Sequence, residues 1–202
     1  SMQVYKEFKI LTSRPNLQDK KKIKHHLYGI ISVRKKFSTG NWLKLTTNLI
    51  TKILKKKKIP VIVGGTGLYF KALLDGLVKI PNIPLEFRNK IRKYNKKIGQ
   101  EKFYNKLLKL DPKIKSFISL NDTQRSLRAY EVKKYTKKSL YQWIEGTKPN
   151  FDENLFLKIF LNSPRDQLIT KINLRVERMF KEGANKEVEK FLKLNVKKDM
   201  SA

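Results

Sequence analysis

A chain of 202 residues can build one hydrophobic core and a second, smaller subdomain. Its 40% hydrophobic content excludes a compositionally disordered chain, and no apolar run approaches the roughly 18 residues of a membrane span. The lack of cysteine excludes disulfides, thiolate metal sites and a cysteine nucleophile, while 47 Lys and Arg against 17 Asp and Glu give a net charge of +30.

Such a charge favours a polyanionic partner, nucleic acid first. Abundant lysine, asparagine and isoleucine also fit the codon bias of an A/T-rich genome, so the charge alone names no reaction. The first five residues lack the form of a signal peptide.

Residues 1–36 mix short apolar patches with lysine runs and read mostly as loop. From Asn41 to Lys57, Leu43, Leu45, Leu49, Ile50, Ile53 and Leu54 recur at near-helical spacing. Ile59-Pro60-Val61-Ile62-Val63, bounded by Gly64 and Gly65, then reads as a buried parallel strand. Leu68 to Leu77 resumes a helical pattern. Helix, strand, glycine turn and helix in succession predict a doubly wound α/β sheet.

The character changes at Pro81 to Pro84. Amphipathic stretches at Leu85–Ile98, Glu101–Leu110, Asp122–Tyr135 and Ser139–Ile144 predict a helical insertion, with Asn121 or Asp122 and Ser139 as caps. After a polar linker, Leu155 to Leu161 reads as a second core strand. Ser163-Pro164-Arg165-Asp166 opens a helix toward Phe180 that Gly183 closes, and a last helix runs from Asn185 to Leu194. The predicted organisation is an α/β core at 1–83 and 151–202, interrupted by a helical insertion at 84–150.

Few residues are placed to carry chemistry. Gly64-Gly65-Thr66-Gly67 follows the first strand and opens a helix, so its backbone could approach a ligand and Thr66 could offer its hydroxyl; a tight turn without a ligand fits equally. In Asn121 to Arg128, Arg125 and Arg128 share a helical face with Gln124 nearby. That face suits phosphates or base edges, or is simply a solvated basic face. Arg165 in the first turn of its helix is either an anion site or the partner of Asp166 or another nearby acid. His25-His26 has no acid beside it and reads as structural. None of the nine glycines lies in a G-x-x-x-x-G-K-S/T phosphate loop.

Five collinear blocks resemble the tRNA dimethylallyltransferases. They are Ser1-Met2-Gln3-Val4-Tyr5-Lys6 with Ile10, Thr12 and Pro15; His25-His26-Leu27; Ile59 through Leu77; Asn121 through Val132; and Pro164-Arg165 followed by Arg175 to Met179, Gly183 and Glu187-Val188. Lys9, Leu11 and Arg14 depart from the Asp, Gly and Lys that the family carries there.

The resemblance implies a P-loop NTPase-like parallel sheet with an inserted helical subdomain. It implies transfer of a dimethylallyl group from dimethylallyl diphosphate to N6 of the adenosine beside the anticodon, with nucleotide (ATP) binding and Mg2+. Thr66 would hydrogen-bond the target adenosine, and Ser1, Met2 and Gln3 would border it. Arg88, Gln124, Arg125, Ser126, Leu127 and Arg128 would contact the tRNA anticodon stem-loop, and Arg165 would bind the diphosphate. In the family the general base is the Asp before the residue matching Ser1, and the phosphate loop lies farther upstream. The chain is therefore expected to be a piece lacking both, together with the C-terminal end, and to be inactive alone. The expected protein is a cytoplasmic monomer without a membrane. The alternative is a non-catalytic basic RNA-binding fragment.

Overall fold

The computed structural model describes residues 2–196. Two compact units divide the chain: Ser1–Leu74 with Asn150–Ala202, and Asp75–Pro149.

The first unit begins with a 3-10 turn at Met2–Val4. The chain then runs beside a later segment, where Lys6 N–H donates to the Ile31 carbonyl at 2.8 Å and Ile31 N–H to the Val4 carbonyl at 3.0 Å. The result is one isolated parallel bridge, Tyr5 to Ile31. Between these segments lies α1 (Leu17–Lys22), in a region whose composition reads as loop. A reciprocal cap starts it: Asn16 Oδ1 accepts from Asp19 N–H at 2.9 Å, and Asp19 Oδ2 accepts from Asn16 N–H at 3.0 Å.

Helix α2 (Thr39–Lys55) is capped by Ser38, whose Oγ accepts from Asn41 N–H at 3.2 Å. Its buried stripe of Trp42, Leu43, Thr46 and Ile50 follows the helical period. Helix α3 (Gly67–Leu74) packs against it through Trp42 and Tyr69, whose rings stack at 4.3 Å. Late in the chain come α8 (Arg165–Lys181) and α9 (Ala184–Leu192), separated by Gly183 at φ +97°. Phe191 of α9 meets Phe8 at 4.9 Å between ring centroids.

The second unit is helical: α4 (Leu85–Ile98), α5 (Gln100–Leu110), a 3-10 turn at Pro112–Ser116, α6 (Thr123–Thr136) and α7 (Leu140–Glu145). Asp122 caps α6 by accepting from Arg125 N–H at 3.0 Å, and Ser139 with Gln142 forms a capping box on α7. Gly99, at φ +81°, joins α4 to α5 in a conformation that disfavours side chains. Tyr104, Leu107, Ile114, Ile118 and Ala129 form the core. At Gly76 a Cβ would lie 2.5 Å from the Lys148 carbonyl oxygen, so only glycine fits there.

The predicted parallel sheet is absent. Among the described residues no strand forms, and the P-loop NTPase-like α/β assignment is overturned by an almost wholly helical structure with one isolated bridge. A 3-10 turn at Glu153–Leu155 precedes the second run; residues 59–63 and 156–161 form neither helix nor ladder, and most of their apolar side chains face solvent: Val61 is 79% exposed and Phe160 89%. The reason is that strand propensity is contextual. A β-branched run becomes a parallel strand only when a neighbour pairs with its backbone and both faces are covered. Neither condition is met for these segments among the described residues.

Burial predicts unequal sensitivity. Leu107→Ala, at a fully buried site, should cost about 2–5 kcal/mol in urea unfolding followed by helical circular dichroism. Phe160→Ser should change stability by less than about 0.5 kcal/mol. Equal costs would contradict the exposure of residues 155–161.

Candidate nucleic-acid interface

Acidic side chains hold the N-terminal segment in place. Glu187 on α9 accepts three backbone N–H groups, from Lys9 and Ile10 at 2.9 Å each and from Leu11 at 3.0 Å. Glu7 accepts from Ser32 Oγ at 2.7 Å and from Val33 N–H at 3.1 Å. Burial pushes the Glu7 carboxyl up, but the Ser32 and Val33 hydrogen bonds outweigh it and leave the pKa below its ordinary value. Gln3 Nε2 donates to the Thr12 carbonyl at 2.8 Å and to the Ser13 carbonyl at 3.2 Å.

This framework borders an open cleft of about 520 Å³, within the usual size range for a small-ligand site. Gln3, Arg14, Asp19, His25, Tyr28 and Gly64 are among its lining residues. Arg14 is tethered by an Nη2 donation to the Lys6 carbonyl at 3.0 Å. His25 lies edge-on to Tyr28, with Nδ1 2.8 Å from the Ile23 carbonyl oxygen. The structure therefore brings Gln3 to the same cleft as the glycine turn. Met2 and Gln3 also line a shallower depression with Phe8, Leu11 and Thr12. Ser1 lies outside the described residues.

The glycine turn is open. Thr66 sits immediately before α3, its carbonyl accepting from Tyr69 N–H at 3.0 Å. Gly64, Gly65 and Gly67 all lack positive φ, and a Cβ at Gly65 or Gly67 would meet nothing within 4 Å. Neither backbone strain nor packing within this chain requires glycine at those two positions. Glycine there leaves the backbone of the turn accessible.

On the second unit the predicted contact residues separate into three groups. Arg88 on α4 and Arg128 on α6 converge on Glu131, with Arg88 Nε donating to Glu131 Oε2 at 3.2 Å and Arg128 Nη1 lying 3.8 Å from the same oxygen. Arg125 instead pairs with Asp122 at 3.3 Å and is largely exposed, as is Gln124. Ser126 is buried and meets Gln100 Nε2 at 3.3 Å, while Leu127 is half-buried. The motif face thus offers Gln124, Arg125 and Arg128 to solvent and turns Ser126 inward.

Arg165 is the first residue of α8 and is exposed. No ion pair joins it to Asp166 among the described residues. It does not line the cleft that Gln3 and Gly64 share. Among the described residues no group of three or more His, Cys, Asp or Glu side chains could hold a metal ion. No described helix is long and apolar enough to cross a membrane.

Pattern reading missed Arg92, Glu131 and the tether at Glu187. For the first two a signal was available: Arg88 and Arg92 stand four apart on one helix face, and Glu131 adjoins the buried Val132 on α6. For Glu187 there was none, because its partners lie more than 170 positions away in the chain.

The chain belongs to the IPP transferase family, whose model matches residues 3–202. It is 61% identical to a tRNA dimethylallyltransferase of Pelagibacter ubique over the whole of this chain and 64% of the relative. A crystallised eukaryotic dimethylallyltransferase acting on tRNA matches with a TM-score of 0.81 at 25% identity, covering all of this chain and 50% of that one. The full-length tRNA isopentenylpyrophosphate transferase of Bacillus halodurans matches with a TM-score of 0.60 at 30% identity, over all of this chain and 62% of that one. The chain spans less than two thirds of the length of each of these relatives.

The two carboxylate tethers generate a prediction. Glu187→Ala leaves three N–H groups without their acceptor and should cost about 2 kcal/mol in thermal unfolding. The contribution of Glu7, whose pKa is lowered in the folded state, is present above its ordinary value of 4.5 and is lost as pH falls through the lowered folded-state value. Glu7→Gln should accordingly flatten the acid limb of a stability–pH profile. An unchanged limb would remove Glu7 from the account.

Proposed function

We propose that the protein carrying this chain is a tRNA dimethylallyltransferase, converting the adenosine beside the anticodon to N6-isopentenyladenosine. The observation that carries this reading is the 61% identity with a tRNA dimethylallyltransferase across the full chain. The prenyl donor would be dimethylallyl diphosphate, and the reaction would take place in the cytoplasm.

The target adenine must leave its stack, at a cost on the order of a few kcal/mol. The cleft beside Gln3 and Gly64 is large enough for a base, and Met2 and Gln3 would border it. Thr66, two residues beyond Gly64, would hydrogen-bond the adenine, with Gly65 and Gly67 permitting close approach. N6 attacks C1 of the dimethylallyl group. The new N–C bond forms as the C–O bond to diphosphate breaks, the departing diphosphate keeps the electron pair, and a base takes the N6 proton. Arg165 would stabilise the diphosphate. Arg88, Gln124, Arg125, Leu127 and Arg128 would hold the anticodon stem-loop, with Ser126 supporting that surface through Gln100. The net charge of +30 also suits a non-catalytic RNA-binding role, which predicts salt-sensitive tRNA binding without transfer.

The test is transfer itself. The protein carrying this chain, given unmodified tRNA and dimethylallyl diphosphate, should yield N6-isopentenyladenosine by nucleoside mass spectrometry. Binding without product would favour the non-catalytic role. Thr66→Ala should lower kcat/KM about tenfold or more. Arg165→Ala should raise KM for dimethylallyl diphosphate. Gly65→Ala should leave stability within about 0.5 kcal/mol yet reduce transfer, because the added methyl meets only the ligand.

A further inference from the structure

Glu131 on α6 is 1% exposed. A carboxylate so far from water must be compensated, and one well-placed cation would suffice. Three are present. Arg88 Nε lies 3.2 Å from Oε2, Arg92 Nε 3.8 Å from Oε1, and Arg128 Nη1 3.8 Å from Oε2. Three positive charges against one negative leave a local excess of two.

That excess faces outward. The three arginine side chains are 36%, 47% and 41% exposed, against 2% for Glu131. Arg88 and Arg92 approach the carboxylate through Nε. A guanidinium fork held in this way matches phosphate oxygens and loses little side-chain freedom on binding. Arg88 and Arg92 stand one helical turn apart on α4, and Arg128 faces them from α6. Burial lowers the pKa of Arg128, and Arg88 lowers it further, so the attraction of Glu131 does not fully offset them.

We infer that Glu131 is a positioning residue that gathers Arg88, Arg92 and Arg128 into one fork for the phosphate backbone of the RNA substrate, with Arg92 as its third arm. The inference rests on the tRNA reading above and deepens it. Bulk electrostatics and this geometry make opposite predictions. Removing the negative charge of Glu131 raises the net charge and should tighten non-specific RNA binding. If Glu131 instead orders the fork, its loss weakens binding.

The test measures binding of an unmodified tRNA anticodon stem-loop to the protein carrying this chain, across a salt series, together with steady-state transfer. Glu131→Gln should weaken binding about tenfold and raise KM for tRNA with kcat little changed, and Glu131→Asp should restore part of the loss. Arg92→Ala should weaken binding and reduce the slope of log K against log salt by about one, more than Lys93→Ala, which removes the same charge from an exposed neighbouring position on α4. Arg92 is half exposed, so its variant tests the proposal even if Glu131→Gln fails to fold. Equal or tighter binding by Glu131→Gln, or equal effects of Arg92→Ala and Lys93→Ala, would overturn the fork. A wild-type protein that neither binds nor modifies tRNA would sink the broader reading instead.

Discussion

Self-repulsion among 47 basic side chains is the condition under which every other feature of this protein forms. Only 17 acids oppose them, and the structure uses several at points where one carboxylate secures more than one group. Glu187 ties three consecutive backbone N–H groups to α9. Glu7 joins two segments 25 and 26 positions apart. Asp19 and Asp122 sit at helix starts, where a negative charge also favours the helix dipole. Glu131 holds three arginines between α4 and α6.

The scarcity of acids has a functional consequence. Where acids are few, many cations stay uncompensated, a surface that would suit a polyanion. Most are lysines on mobile stems, which raise affinity without defining orientation. The arginines around Glu131 differ, because a buried carboxylate holds them together. The glycine turn is the complementary case. It leaves open space where the chain's own packing would tolerate a side chain.

Legibility from sequence followed the range of the interactions involved. The helices at 85–98, 101–110, 122–135 and 139–144 were readable because period, cap and terminus are all local signals. Their observed bounds lie within a residue or two of the pattern. The capping box at Asn16 and Asp19 was equally local but lay hidden in a lysine-rich stretch with little apolar period. The runs at 59–63 and 155–161 were misread as core strands. Apolar, β-branched composition specifies what a segment could pair with, and not that a partner is present. The candidate site divided in the same way. Thr66 and Arg165 are candidates from motif position, whereas Arg92 and Glu131 emerge only with α4 and α6 side by side.

By itself the sequence determined the composition-driven appetite for a polyanion, the helical elements of the middle segment, and the collinear motifs that mark the IPP transferase family. Each of these depends on residue type and short spacing, which a linear chain records directly. Tertiary structure alone decided that Glu131 is shared by three arginines, that Glu187 fastens the segment after Phe8, that Gly65 and Gly67 border open space, and that no sheet forms among the described residues. Those outcomes depend on which distant groups come within a few ångströms, and local preference carries no record of them.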